Sequence, residues 1–320
     1  MPGVTLTVTG DASGSTLTNG LGNYTLSSLA PGGNYTVTPT KAALTTGTVS
    51  NINTIDVVAT QLHFLTIGTP LSGCRLAAAD VNGDTVVNTV DVIAIQRFFL
   101  GLPTGIGNVG KYKFTPAFRS YPAVVTDQSG ENYVALVFGD VVAGFVHRPD
   151  GPSQTTPGDG PGAGEVPATV AMVALPEVAV DASVSDLIAQ VTTTAINVGD
   201  KLVAFQGDFT FDERVVTFQS EPVQNAGLTG GNWNVSGNVL DGTGSIRTLR
   251  ISAYSNDLTP LSGSGTLFEL RMTRVGKTGQ VTQLFWAAPP DHFIFIDADL
   301  KTQKPGYAAP GSITPSGERK

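Results

Sequence analysis

One cysteine in 320 residues, Cys74, leaves this chain unable to form an intrachain disulfide, so its stability has to come from buried cores, bound ions or assembly. Charge is sparse as well. Lys, Arg, Asp and Glu make up only 14% of residues and the net charge is −8, which argues against a nucleic-acid partner because phosphates require a basic face. Three histidines are scattered at 63, 147 and 292, and no His-x-x-x-His pair, Gly-x-Ser-x-Gly elbow or phosphate-cradling glycine loop occurs. The chain reads as no enzyme. No apolar run of about eighteen residues offers a membrane span, and no apolar leader follows Met1.

What is present is glycine, at 38 residues, together with abundant Thr and Ser: a β-rich, loop-rich composition suited to an extracellular or cell-surface protein. Within it lies one run of concentrated chemistry. Asp80, Asn82, Asp84, Asn88 and Asp91 fall at positions 1, 3, 5, 9 and 12 of a twelve-residue loop, and position 7 is Val86. Calcium takes six to eight oxygens, and this spacing wraps a chain around one ion, with position 7 offering its backbone carbonyl. Ca2+ is therefore the expected cofactor. Position 6, where a sharp turn favours glycine, is Thr85, which predicts backbone strain or weaker binding.

The run after the loop, Asp91 to Leu100, has Val92, Ile95, Gln96 and Phe99 at helical spacing. It is a second copy. Asn53 to Leu65 aligns without gaps on Asn88 to Leu100 at an offset of 35, with eight of thirteen positions identical. Thr45, Gly47 and Val49 stand where Asp80, Asn82 and Asp84 stand in the second copy, so the expectation is one decayed ion site and one intact.

A tandem loop-helix repeat with "NTVDVIAIQRFFLGL" resembles the dockerins, calcium-ordered modules that plug into cohesins. The resemblance spans about residues 45–103 and implies that Asp80, Asn82, Asp84, Asn88 and Asp91 hold the metal. It also implies that Thr89 and Val90, with Thr54 and Ile55 in the first copy, face a partner.

Flanking β segments complete the reading, which is of a mainly β multidomain chain. Residues 1–44 alternate as strands, Val4, Leu6 and Val8 against Thr5, Thr7 and Thr9, and "TNGLGNYTLSSLAPGGNYTVTPTK" looks like carboxypeptidase-regulatory-like and Cna-B-like modules. Such modules open with a further strand before the place of Gly3, so an incomplete N-terminal β-sandwich with an open edge is expected. Residues 45–148 are assigned to the small helical dockerin-like calcium module with a β extension, 149–168 to a Pro/Gly linker, and 311–320 to a tail. Between them, 169–310 read as a C-terminal jelly-roll β-sandwich. "INVGDKLVAFQGDFTFDERVVTFQSEPV" resembles cohesins, and Trp233 and Trp286 fit core packing better than sugar stacking. Asn23, Asn34 and Asn234 open glycosylation triplets.

A dockerin-like and a cohesin-like module in one chain imply head-to-tail use, so the expected function is a calcium-stabilised extracellular structural protein that associates with copies of itself into a filament or surface layer. Strand donation is an alternative mode of association. The competing reading is a scaffold or carbohydrate-binding module of a polysaccharide-degrading complex, whose partner is another cohesin- or dockerin-bearing protein or a glycan. In a third, the two modules pack together within one chain.

Overall fold

The computed structural model describes residues 1–47, 51–105, 107–142, 166–181, 183–289 and 291–316. Most of the expected linker, 149–165, with His147, lies outside them. The chain is mainly β. Among the described residues no helix is long and apolar enough to cross a membrane.

Three short strands open the chain: β1 (Thr5–Gly10), β2 (Gly14–Leu17) and β3 (Gly33–Thr40). The alternation seen in sequence is realised, because Val4, Leu6 and Val8 are buried with Tyr35 and Val37 while the intervening threonines face outward. Two helices follow, α1 (Thr54–Phe64) and α2 (Gly73–Ala79), then α3 (Thr89–Phe99). Asn53 and Asn88 cap α1 and α3 in the same way: each side chain accepts from the backbone two residues on, and Asp56 or Asp91 reaches back to the cap N–H. The two copies thus share one start signal. Helix α2, which carries the exposed Cys74, had no counterpart among the expected elements.

Strands β4 (Tyr112–Thr115), β5 (Arg119–Val124) and β6 (Val134–Val137) come next. Assignment of 104–148 to the calcium module is corrected here, because β5 pairs antiparallel with β3 and gives the sheet order β2-β1-β3-β5, while β4 and β6 form a two-stranded sheet. Phe114, Tyr121, Val124 and Tyr133 pack on the β1/β3 core, so the N-terminal fold is built from both sides of the helical segment. The expected open edge does not fall on β1: it pairs with β3 from Thr5 to Gly10 and with β2 from Thr5 to Val8, so the outer strands of this sheet are β2 and β5.

The C-terminal fold runs through β7 (Val166–Val170), β8 (Val173–Ala174), β9 (Glu177–Asp181), β10 (Asp186–Ile196), β11 (Leu202–Asp212), β12 (Val216–Asn225), β13 (Trp233–Leu240), β14 (Ile246–Ser255), β15 (Gly263–Arg274), β16 (Thr282–Trp286), β17 (Ile294–Asp297), β18 (Thr302–Pro305), β19 (Ala308–Ala309) and β20 (Gly311–Ser316). One sheet is ordered β12-β15-β10-β8-β19. The other centres on β11, which has β14 on one side and β17 and β16 on the other. Between them Phe205, Phe209, Phe211, Phe268, Phe293 and Phe295 form one core, with Trp233 stacked on Phe205 at 5.9 Å and Trp286 edge-on to Phe293 at 4.9 Å. Gly207 is required by this packing, since a Cβ there would sit 2.8 Å from the Cα of Phe293. The expected tail is corrected in part: 311–316 is strand β20, paired in parallel with β9 and antiparallel with β16. Residues 166–168, given to the linker, belong to β7.

Candidate functional site

Strand β11 is buried on both faces, which makes its outer face informative. Antiparallel register puts Ala204 opposite Tyr254, Gln206 opposite Ser252 and Asp208 opposite Arg250, and β13 extends the same rows with Asn234, Ser236 and Asn238. Side chains two apart on a strand share a face, so these nine form a grid on one side of the sheet. Most of the grid is polar, and much of it is sealed from solvent: Gln206, Asp208, Arg250 and Ser252 are all buried.

The helical unit covers that grid. The Thr54 N–H donates to Gln206 Oε1 at 2.9 Å, and its hydroxyl lies 2.9 Å from that of Ser252. Gln61 Nε2 donates to the Ser255 carbonyl at 2.8 Å, and its counterpart in the second copy, Gln96, donates to Asn234 Oδ1 at 3.1 Å and to the Ser252 carbonyl at 3.3 Å. Asn238 Nδ2 donates to the Leu100 carbonyl at 2.9 Å. Around these bonds Val203, Ala204, Tyr254 and Ile296 share one apolar cluster with Ile55, Val58, Val92 and Ile95. Gly47 and Gly101, both at positive φ, meet closely at the rim, where a Cβ on Gly101 would lie 3.1 Å from Leu240 Cδ2.

Arg250 is the polar centre of the contact. It forms a two-pronged pair with Asp208, through Nε at 2.9 Å and Nη2 at 2.8 Å, and Nη2 reaches Asp291 at 3.3 Å. Its Nη1 donates to the Gly47 carbonyl at 3.0 Å and to the Phe99 carbonyl at 3.3 Å. Burial works against the Arg250 charge, but the bonds and charge of Asp208 outweigh it and hold the guanidinium protonated. Burial pushes the Asp208 carboxyl up while Arg250 pulls it back.

The Asp80–Asp91 loop lies at the start of α3. Asp80 accepts from the N–H groups of Gly83 and Thr85, Asn82 Oδ1 from Asp84, Asp84 Oδ1 from Val86, and Asn88 Oδ1 from Val90. Each side chain is thereby turned back over the loop, with an oxygen lone pair left for another partner. Thr85 has φ +73°, the left-handed region that favours glycine. Asp91 is fully buried; burial pushes its carboxyl up, and the N–H groups of Asn88, Asn82 and Val81 pull it back. Three aspartates, two amide oxygens and the Val86 carbonyl are the donor chemistry that a hard cation takes, so the residues fit calcium. Counted by His, Cys, Asp and Glu alone, no group of three is gathered for a metal among the described residues.

Of the expected contact residues, Thr54 is buried against the sandwich and Ile55 in the helical core, whereas Thr89 and Val90 are exposed. Asn23 and Asn34 are exposed, but Asn234 is engaged by Gln96. His63 accepts from the Leu71 N–H through Nδ1, and Asp297 closes a turn by accepting from Asp299 and Lys301. Sequence reasoning missed the buried Arg250–Asp208 pair, whose only signal was acids on one strand, Asp208 and Asp212, and arginines on another, Arg247 and Arg250.

No family model matches the chain, and no curated protein matches it. Several solved cohesin modules resemble part of it. The cohesin module of a family 33 glycoside hydrolase from Clostridium perfringens is 12% identical, with 47% of this chain and 100% of that chain covered and a TM-score of 0.36. A type I cohesin–dockerin complex from Clostridium thermocellum gives 14% identity, 48% and 98% coverage and a TM-score of 0.36. The non-cellulosomal cohesin of the archaeon Archaeoglobus fulgidus gives 15%, 45% and 88%, and 0.32. None of these likenesses assigns a role to a residue of this chain.

Proposed function

We propose that this chain is a non-catalytic extracellular structural protein in which a calcium-ordered helical unit and the C-terminal sandwich form a lock. Copies join head to tail, into a filament or surface layer, when the helical unit of one chain closes on the sandwich of the next. The observation that carries this reading is Arg250, a guanidinium buried on the sandwich face whose remaining donors end on the carbonyls of Gly47 and Phe99. Without a helical partner those donors and the hydroxyl of Ser252 exchange their bonds for water, while Ala204, Tyr254 and Ile296 lose their apolar cover, at about 25 cal/mol for each Å² exposed. A face built this way favours an occupied state, whether the helices come from the same chain or from another copy.

Closure within one chain satisfies the lock, so association requires exchange of the helical unit between chains. That contact joins two different surfaces, and repeating it gives an open fibre unless the rotation closes a ring. Calcium held by Asp80, Asn82, Asp84, Asn88, Asp91 and the Val86 carbonyl would offset three carboxylates and fix the start of α3, so the ion acts on the same helical unit that fills the lock.

The test is light scattering with negative-stain microscopy over a range of protein concentrations, in calcium and in chelator. Particle mass and length should grow with concentration in calcium and fall in chelator. Monomers under every condition overturn the proposal. A carbohydrate-binding role draws no support from the tryptophans, both of which are packed against core phenylalanines.

A further inference from the structure

Helix α1 ends on a histidine that the helix and the following connection use in opposite ways. His63 stands in the last turn, where carbonyls without helical partners favour a positive charge. Its ring is held as an acceptor instead: Nδ1 takes the Leu71 N–H at 3.1 Å. An imidazole accepts only through a nitrogen that carries no proton, and the imidazolium has two donors and no acceptor. The bond therefore requires neutral His63, with its proton on Nε2.

That bond closes the connection from α1 to α2. The helix itself stops where Thr66, at φ +57°, donates to the His63 carbonyl at 3.1 Å and Ile67 donates to the Leu62 carbonyl at 2.9 Å. Residues 66–70 are exposed, and then Leu71, 8% exposed, enters the core of the helical unit. One residue thus takes both anchors, its side chain in the core and its N–H on His63. Phe98 occupies the matching place in α3 and is buried, so the arrangement belongs to the first copy.

The charged groups on the elements around α1 are engaged elsewhere. Arg75 of α2 donates to the Val141 carbonyl at 2.7 Å, and Arg97 of α3 to the Pro103 carbonyl at 2.6 Å. Asp208 and Arg250 hold each other, Asp91 closes its own loop, and Asp257, just after β14, accepts from the Ser255 hydroxyl and the Thr259 N–H. Tyr254, pushed up to about 12 by burial, keeps its proton wherever an imidazole titrates. Burial pushes the carboxyls of Asp56 and Asp140 up, and the charge of Asp56 pushes Asp140 further, but both act at the start of α1, where the Val141 N–H meets Asp56.

We propose that His63 is a pH-sensitive catch on the connection between α1 and α2. Neutral, it holds the connection shut through the Leu71 N–H; protonated, it gives up that bond, its new charge is stabilised by the end of α1, and the connection opens. The catch acts on this connection alone and is independent of whether copies of the chain associate.

Amide exchange at Leu71, read by NMR on the full chain and corrected for the intrinsic effect of pH, tests this. From pH 8 to pH 5, the range in which imidazoles titrate, protection at Leu71 should fall on the order of two- to tenfold, the worth of one net hydrogen bond. His63→Asn places a side-chain oxygen that accepts without titrating, so its Leu71 should stay level over the same range, with Asp56 and Asp140 still present. The ring nitrogen shifts of His63 should put the proton on Nε2 at pH 8 and on both nitrogens at pH 5. An equal fall in His63→Asn assigns the effect to the carboxyls and overturns the proposal. If that variant fails to fold, wild type decides: a proton on Nδ1 at pH 8, or Leu71 protection that stays level while the ring gains its second proton, overturns it, and loss of protection in step with that proton supports it.

Discussion

Arg250 lies over the ring of Phe99, with its Cζ 4.8 Å from the centroid, while its Nη1 donates to the carbonyl of the same residue. One side chain of the sandwich thus holds the C-terminal end of α3 by charge, by ring face and by hydrogen bond. Because the guanidinium is already anchored by Asp208, it reaches the helix with little freedom left to lose.

Arg250→Ala should strand a buried Asp208 carboxylate while the helical unit stays docked, and so favour its release. Breaking one side of a buried pair typically costs about 3–5 kcal/mol, and Asp208, 4% exposed, has no solvent to turn to. Arg250→Lys keeps the charge and loses the fork, so it should recover only part of that loss. Hydrogen exchange across 54–64 and 89–99 is the measurement. Protection equal to wild type in Arg250→Ala would show that the lock does not depend on this residue.

The two copies should differ in tolerance. Thr54 is buried against Ser252 and Gln206, whereas Thr89 is exposed. Thr54→Arg forces a long cation into a packed seam and should raise proteolytic cleavage of the helical unit by roughly five- to 150-fold, in line with a cost of about 1–3 kcal/mol for overpacking. Thr89→Arg should leave cleavage unchanged. Equal effects from both would mean that the copies are used alike.

These contrasts show what was legible in the sequence. Periodicity and the Asn–Asp caps repeat within short windows, so the duplicated helices and their starts at 53 and 88 were open to reading. The run at Tyr121 to Val125 reads as a strand, but the place of β5 beside β3 was not legible, because that pairing spans the whole helical segment and no local signal names a partner that distant. Asp140 after Gly139 invites a metal reading in the sequence, but no partner oxygens follow it at 1-3-5 spacing, and the bonds that bring its neighbours Val141 and Val142 to Asp56 are long-range contacts that spacing along the chain cannot reveal. The alternation of Val4, Leu6 and Val8 predicted a face correctly, but not which strands lay on either side of it.

Tyr254 gives the lock an alkaline limit. Burial alone pushes its hydroxyl up to about 12, above the ordinary value of 10.0. The native state therefore holds this proton more tightly than the unfolded chain, so stability is unaffected below the unfolded value and falls as pH rises through the interval up to the native one. Melting temperature between pH 10 and 12 should drop more steeply for wild type than for Tyr254→Phe. Parallel profiles would remove Tyr254 as the cause, and leave other raised tyrosines such as Tyr133.

Thr85 should limit the calcium loop. A β-branched residue in the left-handed region costs about 1–2 kcal/mol, and glycine carries no such penalty but gives back roughly 0.5–1 kcal/mol in unfolded-chain entropy. Thr85 stands at φ +73° in the turn that Asp80 closes through the Thr85 N–H. Thr85→Gly should therefore favour the folded loop by a net ~1.5 kcal/mol at most, and an ion that selects the folded loop gains by no more than that factor, on the order of tenfold in half-saturation. Calorimetric titration of both forms measures it, with Asp80→Ala/Asp91→Ala as the form expected to lose the loop ion. If Thr85→Gly binds calcium no more tightly than wild type, the strained turn is not what sets the affinity. The limit would then rest on the ligands, where an amide stands at positions 3 and 9 in place of a carboxylate.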